Sequence, residues 1–171
     1  ALLRPDVFHA VAGLSVPYSP RGNVRPSDAF RAMGGAEEFY MSQLGILIVD
    51  DHPVYRDALS EKLRRQFDLI AARVAIASSA GEGLEAVQSA TDLRWLVVLD
   101  ILMPGLSGMA GIKAFKAQPQ VEHVVAISGL DEKLWEPRSV NAGATLFLSK
   151  NHTSQFIFRK LDMLIRGQSA G

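Results

Sequence analysis

Between Gly45 and Arg166 the hydrophobic period of the chain switches back and forth. Gly45-Ile-Leu-Ile-Val49 is an unbroken apolar run of strand length, and such runs suit strands buried on both faces of a parallel sheet. Pro53 then fits the first position of a helix, with Tyr55, Leu59 and Leu63 recurring on one helical face. Val74 to Ala77 reads as a short second strand. Ser79 with Glu82 reads as a capping box that opens a helix carrying Leu84 and Val87 inward. Trp95-Leu-Val-Val-Leu99 is the third strand, and Ser107 is the expected cap of a helix bearing Met109, Ile112 and Phe115, closed by Pro119. Val124 to Ile127 and Thr145 to Leu148 are the fourth and fifth strands. A last helix runs from about Thr153 to Arg166 with Ile157, Leu161 and Leu164 toward the core. Five apolar strands alternating with helices predict an α/β fold, a doubly wound five-stranded parallel sheet covered on both faces.

The ends differ in character. Half of the 8 prolines (Pro5, Pro17, Pro20 and Pro26) fall in the first 40 residues, beside Gly34 and Gly35 and without apolar periodicity. Residues 1–43 are therefore expected to be a poorly ordered or non-native extension, with Met41 as a candidate natural start. Residues 44–166 form the expected domain, and 167–171 have the composition of a linker.

Composition narrows the function classes. Hydrophobic residues at 48% and charged residues at 21% suit one globular domain, and no apolar run is long enough to span a bilayer. Lys and Arg number 18 and so do Asp and Glu, so bulk charge attracts neither nucleic acid nor anionic membrane. The absence of Cys excludes disulfides, thiolate nucleophiles and Cys-based zinc sites, and suits a reducing compartment. The chemistry is concentrated at the strand ends. The first apolar run is followed by Asp50 and Asp51, the third by Asp100, the fourth by Ser128 and the fifth by Ser149 and Lys150. In a parallel sheet all of these gather at the carboxyl edge, where such folds bind ligands. Three neighbouring carboxylates repel one another and offer the hard oxygen donors that suit Mg²⁺.

Taken with their surroundings, these residues resemble the receiver domain of two-component response regulators. The matching motifs are Ile46-Leu-Ile-Val-Asp-Asp-His-Pro53, Leu99-Asp-Ile-Leu-Met-Pro-Gly-Leu-Ser-Gly108, Ala126-Ile-Ser-Gly129 and Ala142-Gly-Ala-Thr-Leu-Phe-Leu-Ser-Lys150. The Asp-His-Pro form and the Ala-Gly-Ala before the last strand look most like the subfamily that usually carries a C-terminal LuxR-type helix-turn-helix. The resemblance implies a flavodoxin-like strand order 2-1-3-4-5 and a cytoplasmic regulator. Asp100 would take a phosphoryl group from a sensor histidine kinase, a phosphotransfer protein or a small phosphodonor. It also implies Mg²⁺ held by Asp51, Asp100 and the backbone carbonyl of Leu102, with Asp50 acting mainly through water. Lys150 would pair with a phosphoryl oxygen, Ser128 would donate its hydroxyl to another, and Phe147 would be the aromatic switch that turns inward behind Ser128. DNA contact would come only through a separate C-terminal domain, and a homodimer is left open.

Departures from the family pattern carry expectations of their own. Pro137 falls inside the fourth helix, which should start late or be kinked and present an atypical partner surface with Trp135 as an exposed or semi-exposed contact. Phe156 is expected on the outer side of the last helix. Leu102 and Leu130 are apolar neighbours of the acceptor and should hinder an attacking water. Two other readings compete: a Mg²⁺-dependent phosphohydrolase with Asp100 as nucleophile, disfavoured by Leu102 two positions on, and a receiver-like binding module that is never phosphorylated.

Overall fold

Alternate residues of each central strand serve opposite faces of one sheet, which is why those strands read as unbroken apolar runs. The computed structural model describes residues 43–67, 73–105 and 108–167. Its elements in order are β1 (Leu44–Val49), α1 (Pro53–Phe67), β2 (Arg73–Ala77), α2 (Ala80–Ser89), β3 (Arg94–Asp100), α3 (Gly108–Lys116), β4 (Val121–Ser128), α4 (Glu132–Asn141), β5 (Leu146–Ser149) and α5 (Ser154–Ile165). The strands form a single parallel sheet in the order β2-β1-β3-β4-β5, the expected doubly wound arrangement. Leu47, Val49, Val97 and Leu99 point to the face covered by α2 and α3, through Val87, Ile112 and Phe115. Ile46, Ile48, Leu96 and Val98 point to the other face, covered by α1 through Leu59 and Leu63 and by α5 through Ile157, Leu161 and Leu164.

Two glycines allow close packing. A Cβ on Gly45 would lie 2.5 Å from the Trp95 ring, its partner on β3, and a Cβ on Gly83 in α2 would lie 2.9 Å from the end of the Phe115 ring. The α2 cap forms as the spacing implies: Ser79 Oγ accepts from the Glu82 N–H at 3.2 Å. Glu82 reaches back one residue further than the standard box, accepting from the Ser78 N–H and hydroxyl, each at 2.7 Å. Those bonds, the backbone one first, hold the Glu82 carboxyl below its ordinary range.

Three expectations need correction or placement. β4 begins at Val121, three residues before the apolar run, because Arg94 on β3 holds Glu122 at 2.6 Å and lets a polar position join the sheet. The helix containing Pro137 does not start late. α4 begins at Glu132, capped by the Asp131 side chain accepting from the Lys133 N–H at 2.9 Å, and continues to Asn141. Backbone bonds close on both sides of Pro137, from Trp135 N–H to Asp131 and from Ala142 N–H to Arg138, each at 3.1 Å, so the ring removes one bond without ending the helix. The Ser107 cap and residues 1–42 lie outside the described residues.

Trp135 is half-buried. One side packs against the core beneath α4, and the Arg138 guanidinium lies 5.2 Å from its ring centre. Phe156 is likewise half-buried rather than wholly outward. It meets the edge of the α1–α5 core, and its ring centre lies 4.4 Å from that of His152 with the two rings tilted at 51°.

Candidate functional site

Each strand-end polar residue is carried to its place by the apolar run before it, and the parallel order sets those ends side by side. Sheet-like bonds continue across the edge: Asp50 N–H donates to Ala77 at 3.1 Å, Ile101 N–H to Ile127 at 3.1 Å, and Lys150 N–H to Ser128 at 2.8 Å. At this edge Asp50 and Asp100 are each 1% exposed. Burial to that degree disfavours a carboxylate unless it is paired, and both are. Lys150 Nζ lies 2.6 Å from Asp50 Oδ2 and 2.6 Å from Asp100 Oδ2, bridging the two. The remaining oxygens accept backbone hydrogens two residues on, Asp50 Oδ1 from His52 at 2.9 Å and Asp100 Oδ1 from Leu102 at 2.8 Å. Burial pulls the Lys150 ammonium downward, but its bonds to Asp100 and Asp50 outweigh burial and leave it above its ordinary value.

Asp51 completes the acidic group from a more open position. Its Oδ1 is buried and receives no hydrogen bond. Ser128 at the end of β4 is wholly buried, with its Oγ accepting from the Leu130 N–H at 3.2 Å. Phe147 pairs with Ala126 across β5 and β4, two residues before Ser128, so strand alternation puts its side chain on the same face as Ser128. It is 1% exposed, and its ring lies inward within the core on the α2–α3 side. Leu102 is half exposed, whereas Leu130 packs partly against that core.

Two residues join the site that the sequence pattern did not single out for it. Tyr55 looked like a core position of α1, yet its ring centre is 4.5 Å from Lys150 Nζ, and its hydroxyl is buried without a partner. Burial first, then the negative charges of Asp50 and Asp100, push its phenol up to about 12. His52 was legible only as part of a motif. Its ring lies against the carboxylates, so that Asp50, Asp51, His52 and Asp100 can each offer a ligand atom with all of them within 4.8 Å of one another.

The donor set fits a hard divalent cation. Carboxylate oxygens dominate it, Asp51 Oδ1 lacks a donor, and the single ammonium cannot neutralise three acidic groups. Chemically, the arrangement offers a buried carboxylate at Asp100, a cation beside it, and an acidic cluster compatible with a divalent ion.

Comparison with known proteins agrees with this geometry. The family model described as the response regulator receiver domain matches residues 46–162. Among curated relatives, the Fimbriae Z protein of Salmonella typhimurium is 25% identical over 136 residues, covering 75% of this chain and 60% of its own length. The transcriptional activator protein ExaE of Pseudomonas putida is 29% identical over 127 residues, covering 74% and 57%. The chain thus spans little more than half the length of these relatives. Among solved structures, the receiver domain of NtrX from Brucella abortus is 27% identical with a TM-score of 0.62, covering 71% of this chain and 98% of that one. The chemotaxis protein CheY4 of Vibrio cholerae shares the fold at 23% identity and a TM-score of 0.59, over 70% of this chain and 97% of that one. A receiver motif set, a sheet in the order 2-1-3-4-5 and an acidic edge bridged by one lysine converge on one assignment: the chain belongs to the response regulator receiver domain family.

Proposed function

We propose that residues 44–166 act as a phosphorylation-controlled switch in which Asp100 accepts a phosphoryl group. The observation that carries this is the setting of Asp100. It is a buried carboxylate with one oxygen held by the Leu102 N–H and the other by Lys150, beside two further aspartates. A carboxylate oxygen of Asp100 attacks the phosphorus of a phosphohistidine or an acyl phosphate. A new P–O bond forms, the bond to the imidazole nitrogen or acyl oxygen breaks, and the donor leaves with its electron pair. Mg²⁺, held by Asp51, Asp100 and the Leu102 carbonyl with help from Asp50, would offset charge between the carboxylate and the phosphoryl oxygens. Lys150, already 2.6 Å from Asp100, stays as a compact cation for a phosphoryl oxygen. Ser128 Oγ, which accepts from Leu130, keeps its own hydrogen free to donate to another.

The donor in this reading is a sensor histidine kinase or a phosphotransfer protein in the cytoplasm. The output is transcriptional, through a C-terminal domain of the LuxR type in the full-length regulator. The motif form supports the LuxR type, and the relative described as a transcriptional activator protein supports a transcriptional output. Incubation with acetyl phosphate and Mg²⁺ followed by intact mass tests the central step. Wild type should gain one acid-labile phosphoryl group and Asp100→Asn none. An unchanged wild-type mass would sink the reading, and sustained turnover of phosphate esters would favour the phosphohydrolase instead.

A further inference from the structure

His52 is 68% exposed, yet its ring nitrogen faces the acidic pocket. Nδ1 lies 3.0 Å from Asp51 Oδ1, 3.4 Å from Asp50 Oδ1 and 4.0 Å from Asp100 Oδ2. Around a six-coordinate ion with bonds of about 2.1 Å, neighbouring ligand atoms stand roughly 3.0 Å apart and opposite ones roughly 4.2 Å. The three separations fall within that span. The nitrogen thus faces a carboxylate oxygen that is itself buried. The His52 N–H donates to Asp50 Oδ1 at 2.9 Å, which fixes the main chain from which the ring projects beside the pocket.

We propose that His52 contributes a nitrogen ligand to the ion site, turning an all-oxygen site into a mixed one that favours Mn²⁺, Ni²⁺ or Zn²⁺ more than the aspartates alone would. This rests on reading the acidic pocket as the receiver's ion site. A carboxylate set suits Mg²⁺ and Mn²⁺, whereas imidazole adds most for the later first-row ions and little for Mg²⁺. His52 therefore governs which metal occupies the site, while the aspartates govern whether any does.

Two measurements on the full chain, without phosphodonor, test this. Pulsed electron paramagnetic resonance of bound Mn²⁺ should show coupling to a ¹⁴N nucleus in wild type and none in His52→Phe. By calorimetry, His52→Phe should weaken Ni²⁺ binding by about tenfold or more and Mg²⁺ binding by less than about threefold. If His52→Phe does not fold, His52→Asn, which removes the nitrogen ligand but keeps a polar side chain, takes its place. No ¹⁴N coupling in wild type, coupling that survives the substitution, or an equal loss for both ions would overturn the proposal. Wild-type phosphorylation with Mg²⁺ separates the two readings. A chain that is phosphorylated but shows no nitrogen coupling loses only this inference. A chain that shows the coupling but never takes up phosphate keeps the mixed site and loses the function proposed above.

Discussion

Tyr55 meets two opposed demands: its ring fills the space under Lys150, and its hydroxyl is buried where nothing accepts it. A cation over an aromatic face is worth about 0.5–2 kcal/mol, depending on how dry the contact is. An unpartnered buried hydroxyl costs about 1–3 kcal/mol by mutational measures. Tyr55→Phe keeps the first and removes the second, so it should fold, retain the contact with Lys150 and gain stability, by up to about 1–3 kcal/mol. Ionisation gives the sharper test. The Tyr55 phenol is raised from 10.0 to about 12, so the unfolded chain loses its proton first and stability falls as pH climbs through that window. A tyrosinate absorbance titration should show one phenol ionising near pH 12, and Tyr55→Phe should remove that late phase. A wild-type titration without a late phase would contradict the burial. Tyr55 and His52 also show what sequence could not reveal at this scale. Asp50, Asp100 and Ser128 directly follow apolar runs, and Asp51 and Lys150 come one position later, so the strand pattern alone placed them together. Tyr55 shared a helical spacing with Leu59 and Leu63, and only the packing of α1 shows that its ring ends beneath Lys150.

At the scale of elements, two helices carry residues that break local rules, and the structure predicts opposite signs for repairing them. Gly83 in α2 weakens the helix by about 1 kcal/mol relative to alanine. Its missing Cβ, however, leaves room for the Phe115 ring and for a Val49 methyl, which would lie 2.9 and 3.0 Å from it. Phe115 is fully buried and cannot swing away. Overpacking of a dense core costs about 1–3 kcal/mol and exceeds the propensity gain, so Gly83→Ala should lower the urea midpoint. Pro137 in α4 has no such compensation. Alanine there restores a backbone donor and relieves the ring's clash with the turn before it, so Pro137→Ala should raise stability by about 1–3 kcal/mol with an unchanged urea slope. If both changes move the midpoint in the same direction, the packing account of one helix is wrong. Element boundaries were legible where apolar runs reached the strand ends. They were not legible where a tertiary contact recruits polar residues, as the Arg94–Glu122 pair does at the start of β4. They also failed where a good cap at Asp131 outweighs a proline six positions later.

Across the whole molecule the 18 basic and 18 acidic side chains cancel, but the cancellation is uneven. The sheet edge gathers Asp50, Asp51 and Asp100 around the Lys150 ammonium, which lies 2.6 Å from a carboxylate oxygen of Asp50 and 2.6 Å from one of Asp100. Asp51 is left with two like charges nearby and no hydrogen bond to its buried oxygen. Two unit charges about 4 Å apart repel by roughly 4 kcal/mol at the effective dielectric of a protein surface, and solvent and salt reduce that considerably for a side chain as open as Asp51. Retaining such a group lowers the stability of the ion-free fold, which is the usual relation between a functional cluster and the scaffold that holds it. Asp51→Asn should therefore melt higher than wild type in chelator, by about 0.5–1.5 kcal/mol, because it removes repulsion and supplies an amide donor. Added Mg²⁺ should reverse the order. An ion that binds only the folded chain stabilises wild type by about 2.7 kcal/mol at a hundredfold excess over its dissociation constant. The variant, lacking a ligand, should respond far less. Thermal melts of both chains near pH 8, in chelator and across a Mg²⁺ series, check the crossing. Parallel responses would mean that Asp51 neither strains the empty site nor holds the ion.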